Sequence, residues 1–198
     1  MDKVAKPLRF QRAWHIPTAD TLTCPPIRQW ARYYLSFSRC SVDPFARNCR
    51  FATHTNDLSP DTAAEHHMDA LEYLQMLHAH GVRVDLAIFD PPYSRNQVKR
   101  VYQSVGRHYG IGDSQDHTLN WQRERDALDA IMEPGGVVLG FGWNSNGMTL
   151  ARDYALESVL MVAHGGASND TICIAERKGT SDAELSFINL QTPRVEIV

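Results

Sequence analysis

Apolar and polar positions follow two distinct rhythms along this chain. Short runs rich in β-branched and aromatic residues occupy positions 41–46, 51–56, 84–89, 136–143, 158–163 and 171–175, lengths that suit strands. Between them, helical spacing is expected over 26–37, 70–80, 119–132 and 148–155. In the third of these, Trp121, Ala127, Leu128 and Ile131 fall on one helical face while Arg123, Glu124 and Arg125 occupy the other. Pro134-Gly135-Gly136 is then expected to end the helix and open the next strand. Strand, helix, strand in succession predicts an α/β fold with a mostly parallel central sheet and helices on both faces. In such sheets ligands bind beyond the carboxyl ends of the strands, so the chemistry is to be sought there.

Size and composition narrow the picture. The 198 residues suffice for one full core and are expected to form a single domain, with an N-terminal arm at 1–13 and a C-terminal tail at 179–198. No run approaches the roughly 18 apolar residues that cross a bilayer, and the N-terminus lacks an apolar signal-peptide core, so a soluble, cytoplasmic protein is expected. Cys24, Cys40, Cys49 and Cys173 form no C-x-x-C pair, which favours reduced thiols over a zinc site or a disulfide framework. His66 and His67 are adjacent, point apart and have no third ligand nearby; they read as a surface pair, and no metal is expected. The net charge of −3 conceals a division along the chain. Residues 1–50 carry +6, 51–93 carry −6, 94–125 carry +3 and 126–198 carry −6. Two basic stretches brought to one face would make an anion-facing surface on a mildly acidic protein.

The predicted strand ends are rich in acids. The first ends in Asp43-Pro44-Phe45-Ala46-Arg47-Asn48 and the second in Asn56-Asp57-Leu58. Asp57 is placed where nucleotide-binding sheets carry a carboxylate for ribose hydroxyls. Asp69, just before the helix that starts at Ala70, reads first as an N-cap, with a hydrogen bond to an adenine amino group as the alternative. The third end is Asp90-Pro91-Pro92-Tyr93. Both prolines fix φ and remove N–H donors, and Pro92 holds residue 91 extended. The result is a rigid stub presenting only acceptors, the Asp90 carboxylate and the Pro91 carbonyl. Such a stub suits an exocyclic amino group, which brings two N–H donors, and Tyr93 offers a flat surface against which its ring stacks.

Asp-Pro-Pro-Tyr is the signature of the amino methyltransferases that modify adenine N6, and the chain resembles them beyond that tetrapeptide. Thr23-Cys24-Pro25-Pro26 resembles their N-terminal cofactor motif, Asp43-Pro44-Phe45-Ala46 their cofactor loop, Asn56-Asp57 their ribose-binding acid and Asp69-Ala70 the segment beside the cofactor's adenine. With Phe141-Gly142-Trp143-Asn144-Ser145 and the run from His164 to Thr171, the pattern is most similar to small phage- and prophage-type DNA adenine methyltransferases. It spans roughly residues 14 to 178. Where many relatives have glycines in the cofactor loop, this chain has Arg47, Asn48 and Cys49.

The resemblance implies a Rossmann-like class I fold, S-adenosylmethionine as cofactor and adenine N6 in DNA as target. It implies a catalytic set of Asp90, Pro91, Pro92 and Tyr93. The cofactor site it implies comprises Thr23, Cys24, Pro25, Asp43, Pro44, Phe45, Ala46, Asn48, Asn56, Asp57, Leu58, Asp69 and Ala70, together with Asp90. RNA is the alternative substrate, and a catalytically degenerate nucleic-acid-binding relative is the alternative of another class; the state is expected to be monomer or homodimer. Arg95, Lys99 and Arg100 follow the signature at spacings that suit one helix face and, with Arg107, are expected to meet phosphates. The turn from His164 to Thr171 is either a hairpin connection or an element near the target base, and Trp143 reads as core before pocket lining. With no separate recognition domain, the loop at 106–118 is the segment left to touch neighbouring bases. Relaxed specificity, or a motif of about two to four base pairs, is therefore expected.

Overall fold

The computed structural model describes residues 7–106, 121–148, 152–166 and 168–180. A seven-stranded sheet forms its centre: β1 (Arg9–Trp14), β2 (Ser41–Asp43), β3 (His54–Thr55), β4 (Val84–Phe89), β5 (Met132–Gly142), β6 (Tyr154–Ala163) and β7 (Thr171–Lys178), in the spatial order β1-β6-β7-β5-β4-β2-β3. All neighbours are parallel except β7, which runs antiparallel between β5 and β6. Helices α1 (Pro25–Leu35), α2 (Ala70–Ala79), α3 (Arg95–Ser104) and α4 (Gln122–Ile131) complete the described elements, with a 3-10 turn at Thr21–Thr23 before α1.

Two apolar layers hold this arrangement. Ile27, Trp30, Ala31 and Tyr34 of α1 pack on Leu86, Ile88, Leu139, Phe141 and Val162. On the other face, Tyr73, Leu74 and Leu77 of α2 and Leu128 and Ile131 of α4 pack on Val42, Ala87, Phe89 and Val138. Val84 joins this second layer because the β4–β5 register shifts between Val84 and Leu86. At that irregularity the Asp85 carboxylate accepts from Ser38 Oγ at 2.6 Å and from the Arg39 N–H at 2.9 Å, tying the α1–β2 connection to the sheet. These bonds outweigh burial and hold Asp85 below the usual carboxylate range.

Several expected boundaries move for identifiable reasons. The first expected strand stops at Asp43 because Pro44 has no N–H to continue the ladder, and the second shortens to His54–Thr55. Strand β5 begins at Met132, before Pro134-Gly135-Gly136. Trp121 is left-handed (φ 49°) and precedes α4, so it lies outside the helical face. Tyr154 and Ala155, expected in a helix over 148–155, open β6. The expected arm at 1–13 supplies, from Arg9, the edge strand β1. Its polar residues and exposed positions hide the period of two.

Candidate active site

A cleft of about 840 Å³ opens beyond the carboxyl ends of β2, β3 and β4, within the size range of ligand sites. All four residues of the predicted catalytic set line it: Asp90, Pro91, Pro92 and Tyr93. The stub is locked from its C-terminal side, where Ser94 caps α3 by accepting from the Gln97 N–H at 3.2 Å. Gln97 Oε1 in return accepts the Tyr93 N–H at 2.6 Å and the Ser94 N–H at 3.2 Å. The Tyr93 hydroxyl turns back and donates to Asp90 Oδ1, and Thr21 Oγ1 lies 2.9 Å from the same hydroxyl. Burial pushes the Asp90 carboxyl up to about 6, against the opposing influence of the bonds from Tyr93 and Thr21 and the charge of Arg47.

The residues predicted to hold the cofactor divide into those that line the cleft and those that do not. Cys24, Pro44, Phe45, Asp57, Leu58, Asp69, Ala70 and Asp90 line the cleft. Asp57 accepts from the Arg47 N–H (3.1 Å) and the Ser59 N–H (2.9 Å), which fixes its carboxylate and leaves acceptor capacity. Asp69 caps α2 through the Leu71 N–H at 3.0 Å and also faces the cleft, where Tyr102 donates to its second oxygen at 2.8 Å.

The remaining predicted contacts do not line the cleft. Asn56 is fully buried; its amide donates to the Pro44 and Met68 carbonyls and accepts the Met68 N–H, joining the loops after β2 and β3. Asp43 is 2% exposed and accepts from the Phe45 N–H at 3.0 Å, with its pKa raised by burial. Ala46 donates its N–H to Asn56 O, and Asn48 accepts the Ala63 N–H. Thr23 and Pro25 belong to the turn and first residue of α1. Of these six, Asp43, Ala46, Asn48 and Asn56 brace the loops beside the cleft, while Thr23 and Pro25 are exposed.

The loop position read as unusual for its side chain is so in the backbone too. Arg47 has φ 50°, a left-handed conformation that favours glycine. Its guanidinium forms an ion pair with Asp20 and donates to the Ala19 carbonyl at 3.1 Å, tying the segment before α1 to the loop after β2. Trp143, expected in the core, is 43% exposed and lines the cleft edge-on to Tyr93, with centroids 5.8 Å apart. The 164–171 turn is the hairpin connection and also borders the cleft. It connects antiparallel β6 and β7, while His164, Asn169 and Thr171 line the cleft. His164 is bound on one ring nitrogen to His15 O (2.7 Å) and on the other to Thr171 Oγ1 (2.8 Å).

Arg100 reaches the cleft and Lys99 is exposed on α3. The Arg95 side chain, Arg107 and the rest of the loop expected to touch neighbouring bases lie outside the described residues. Sequence reasoning missed Thr21, Tyr102, Trp121 and Glu124 as cleft residues. Tyr102 follows Arg95 and Lys99 at helical spacing, the one signal that pointed to it. Among the described residues no cluster of His, Cys, Asp or Glu is arranged to hold a metal ion, His66 instead lies against the Tyr73 ring, and no helix is long and apolar enough to cross a membrane.

No protein-family model matches the chain, and no curated protein matches its sequence. Solved structures do. NSun6 from Pyrococcus horikoshii with SFG superposes with a TM-score of 0.50 at 12% identity, over 76% of this chain and 51% of that one. The chain has the Rossmann-like fold of class I methyltransferases. TrmN from Thermus thermophilus gives 0.49 at 14% identity, over 78% of this chain and 49% of that one. The N-methyltransferase NodS from Bradyrhizobium japonicum WM9 gives 0.48 at 13%, over 77% and 94%. The chain spans about half the length of the first two of these structures. At such identities the likeness extends to the fold and no further. For a methyltransferase fold, the relevant fit is a cleft with two fixed carboxylates, Asp57 and Asp69, beside the aromatic walls Phe45 and Trp121. Those carboxylates are acceptors and suit a ligand that presents hydroxyl or amine donors.

Proposed function

We propose that this chain transfers a methyl group from S-adenosylmethionine to the N6 amino group of adenine in DNA, with relaxed or short-motif specificity. The observation that carries the reading is the acceptor-only stub Asp90-Pro91-Pro92-Tyr93 in the same cleft as Asp57 and Asp69. Asp57 and Asp69 would hold the cofactor's ribose and adenine beside Phe45, whose ring is braced edge-on by Trp121 at 5.4 Å. The cofactor, when bound, supplies a methyl group activated by its sulfonium.

Adenine N6 is a weak nucleophile because its lone pair is delocalised into the ring. Asp90 and the Pro91 carbonyl accept the two amine hydrogens and favour a pyramidal nitrogen whose lone pair is free to react. Their partial and full negative charges also complement the cation that develops on nitrogen. Tyr93 and Trp143 provide ring surfaces at the cleft for a base taken out of its stack. Ionised Asp90 is the stronger acceptor and carries the full charge that complements the developing cation, so activity should rise with pH through about 6. Lys99 and Arg100 at the exit of the stub supply positive charge for the backbone of the nucleic acid.

The test is incubation of purified protein with labelled S-adenosylmethionine and, separately, single-stranded DNA, duplex DNA and RNA, followed by nucleoside analysis. N6-methyladenine in DNA is expected. Label in RNA alone would move the substrate class, and label in none of the three would overturn the reading.

A further inference from the structure

We propose that Thr21 is a positioning residue of this site: its hydroxyl sets the Tyr93 hydroxyl on Asp90 Oδ1 and so reserves Oδ2 and the Pro91 carbonyl for the target amine. This rests on the assignment of Asp90 as the amine acceptor. A tyrosine hydroxyl has one proton, and Tyr93 directs it to Asp90 Oδ1. With the Tyr93 proton committed to Asp90, the Thr21 hydroxyl is left to donate, to Tyr93 Oη at 2.9 Å or to Asp90 itself, and in both cases it favours the ionised carboxylate. The protons of Thr21 and Tyr93 are therefore both directed toward Asp90 while it is ionised. Each bond polarises the next and strengthens the hold on the negative charge.

Thr21 is itself fixed by bonds that do not involve the stub. Thr23 N donates to Asp20 O at 3.0 Å, Cys24 N to Thr21 O at 3.2 Å and Thr18 Oγ1 to Asp20 O at 2.9 Å. Arg47 anchors the same turn through Asp20 and Ala19 while its own N–H holds Asp57. A turn far from the signature in sequence is thus rigidly presented to it. The groups whose charge bears on Asp90 or is felt by it are Asp20 in the turn, Asp43 at the end of β2, Arg47 and Cys49 in the following loop, Tyr93 in the stub and Cys173 on β7. Of these, Tyr93 is the one that shares a hydrogen bond with the Thr21 hydroxyl.

The test compares Thr21→Val, which removes the donor, with Thr21→Ser, which keeps it, and with Tyr93→Phe. The Asp90 carboxyl is titrated in the protein alone by carbon-13 NMR, and the acid limb of methyl transfer is followed in parallel. Thr21→Val should shift the Asp90 midpoint upward by about one pH unit, a roughly tenfold weaker hold on the ionised form. Thr21→Ser should restore the wild-type midpoint, and Thr21→Val added to Tyr93→Phe should shift it no further than Tyr93→Phe alone. An unmoved midpoint in folded Thr21→Val, checked by circular dichroism, would overturn the proposal. If that variant does not fold, an unmoved midpoint in Tyr93→Phe does the same. A shifted midpoint in protein that methylates no nucleic acid would keep Thr21 in its role and sink the substrate assignment instead.

Discussion

Two Asp-Pro turns end neighbouring parallel strands of this sheet, and they have opposite fates. At the end of β2, Asp43 is followed two positions later by Phe45, whose N–H closes onto the carboxylate at 3.0 Å. At the end of β4, Asp90 is followed two positions later by Pro92, which has no N–H to give. Asp43 completes a self-contained turn and is nearly inaccessible. Asp90 cannot close on itself and takes its bond from Tyr93, within the cleft. Burial raises both carboxyls above the usual range. One extra proline thus separates a structural acid from one available to a ligand.

The most severe way to probe this difference is to remove the available acid. Asp90→Ala should lower methyl transfer by at least about 10³-fold, as for loss of a key charge-stabilising group, while cofactor affinity in calorimetry stays within several-fold. Asp57→Ala should reverse that order and weaken cofactor first. Equal losses of cofactor affinity would erase the division of roles.

A subtler change should convert one turn into the other. Pro92→Ala supplies an N–H two residues after Asp90 and is expected to let it close as Asp43 does. The new donor favours the ionised form, so the acid limb of the pH profile should move below about 6, with transfer slowed about tenfold, equivalent to about 1.4 kcal/mol. A limb that stays in place would show that the missing N–H is not what distinguishes the turns.

Stability should report the same acid with the opposite sign. A carboxyl whose folded pKa is raised to about 6 binds its proton more tightly when folded, so its favourable contribution is complete below the unfolded value and is lost as pH rises to about 6. Asp90→Asn should therefore raise Tm by about 2–4 °C for each kcal/mol recovered at about pH 8, and the gain should vanish below about pH 4, near the unfolded Asp pKa. Thermal unfolding at both pH values checks this; a gain equal at both would point to packing rather than charge.

The smallest expected effect concerns the basic residues downstream of each turn. Arg47 and Arg50, after Asp43, are engaged with Asp20 and Glu65. Among the described residues Lys99 and Arg100, after Asp90, have no carboxylate partner. Replacing Arg95, Lys99 and Arg100 by Gln should flatten the log–log salt dependence of duplex binding by about 0.9 for each phosphate that is no longer neutralised. An unchanged slope would place α3 away from the nucleic acid.

The stub was legible because its logic is local: two prolines, an acid and an aromatic ring act within four residues. The parallel core was legible for the same reason, since β4 carries the apolar run Leu86–Phe89 and β5 the run Val137–Leu139. Trp143 misled because aromatic size suggests burial while only the fold shows its half-open place beside Tyr93. Asn56 misled in the other direction, since nothing in its neighbours announces that Pro44 and Met68 will use up its amide. Thr21 was invisible because its partner lies 72 positions away. Strand β1 was hidden by its edge position, where both faces tolerate polar residues.

That edge strand also sets a timetable. β1 pairs in parallel with β6, so that Arg9 faces Ser158 and Trp14 faces Ala163, and the His15 N–H extends the pairing to the Ala163 carbonyl. β1 can thus find its place only after β6 has been made, far downstream of it in the chain, and the loop to be closed is long. The turn bearing Thr21 hangs from β1 on one side and α1 on the other. A nascent chain can accordingly complete the loops after β2 and β3 and the acceptor stub first, and acquire its Thr21 hydroxyl only when β6 has arrived.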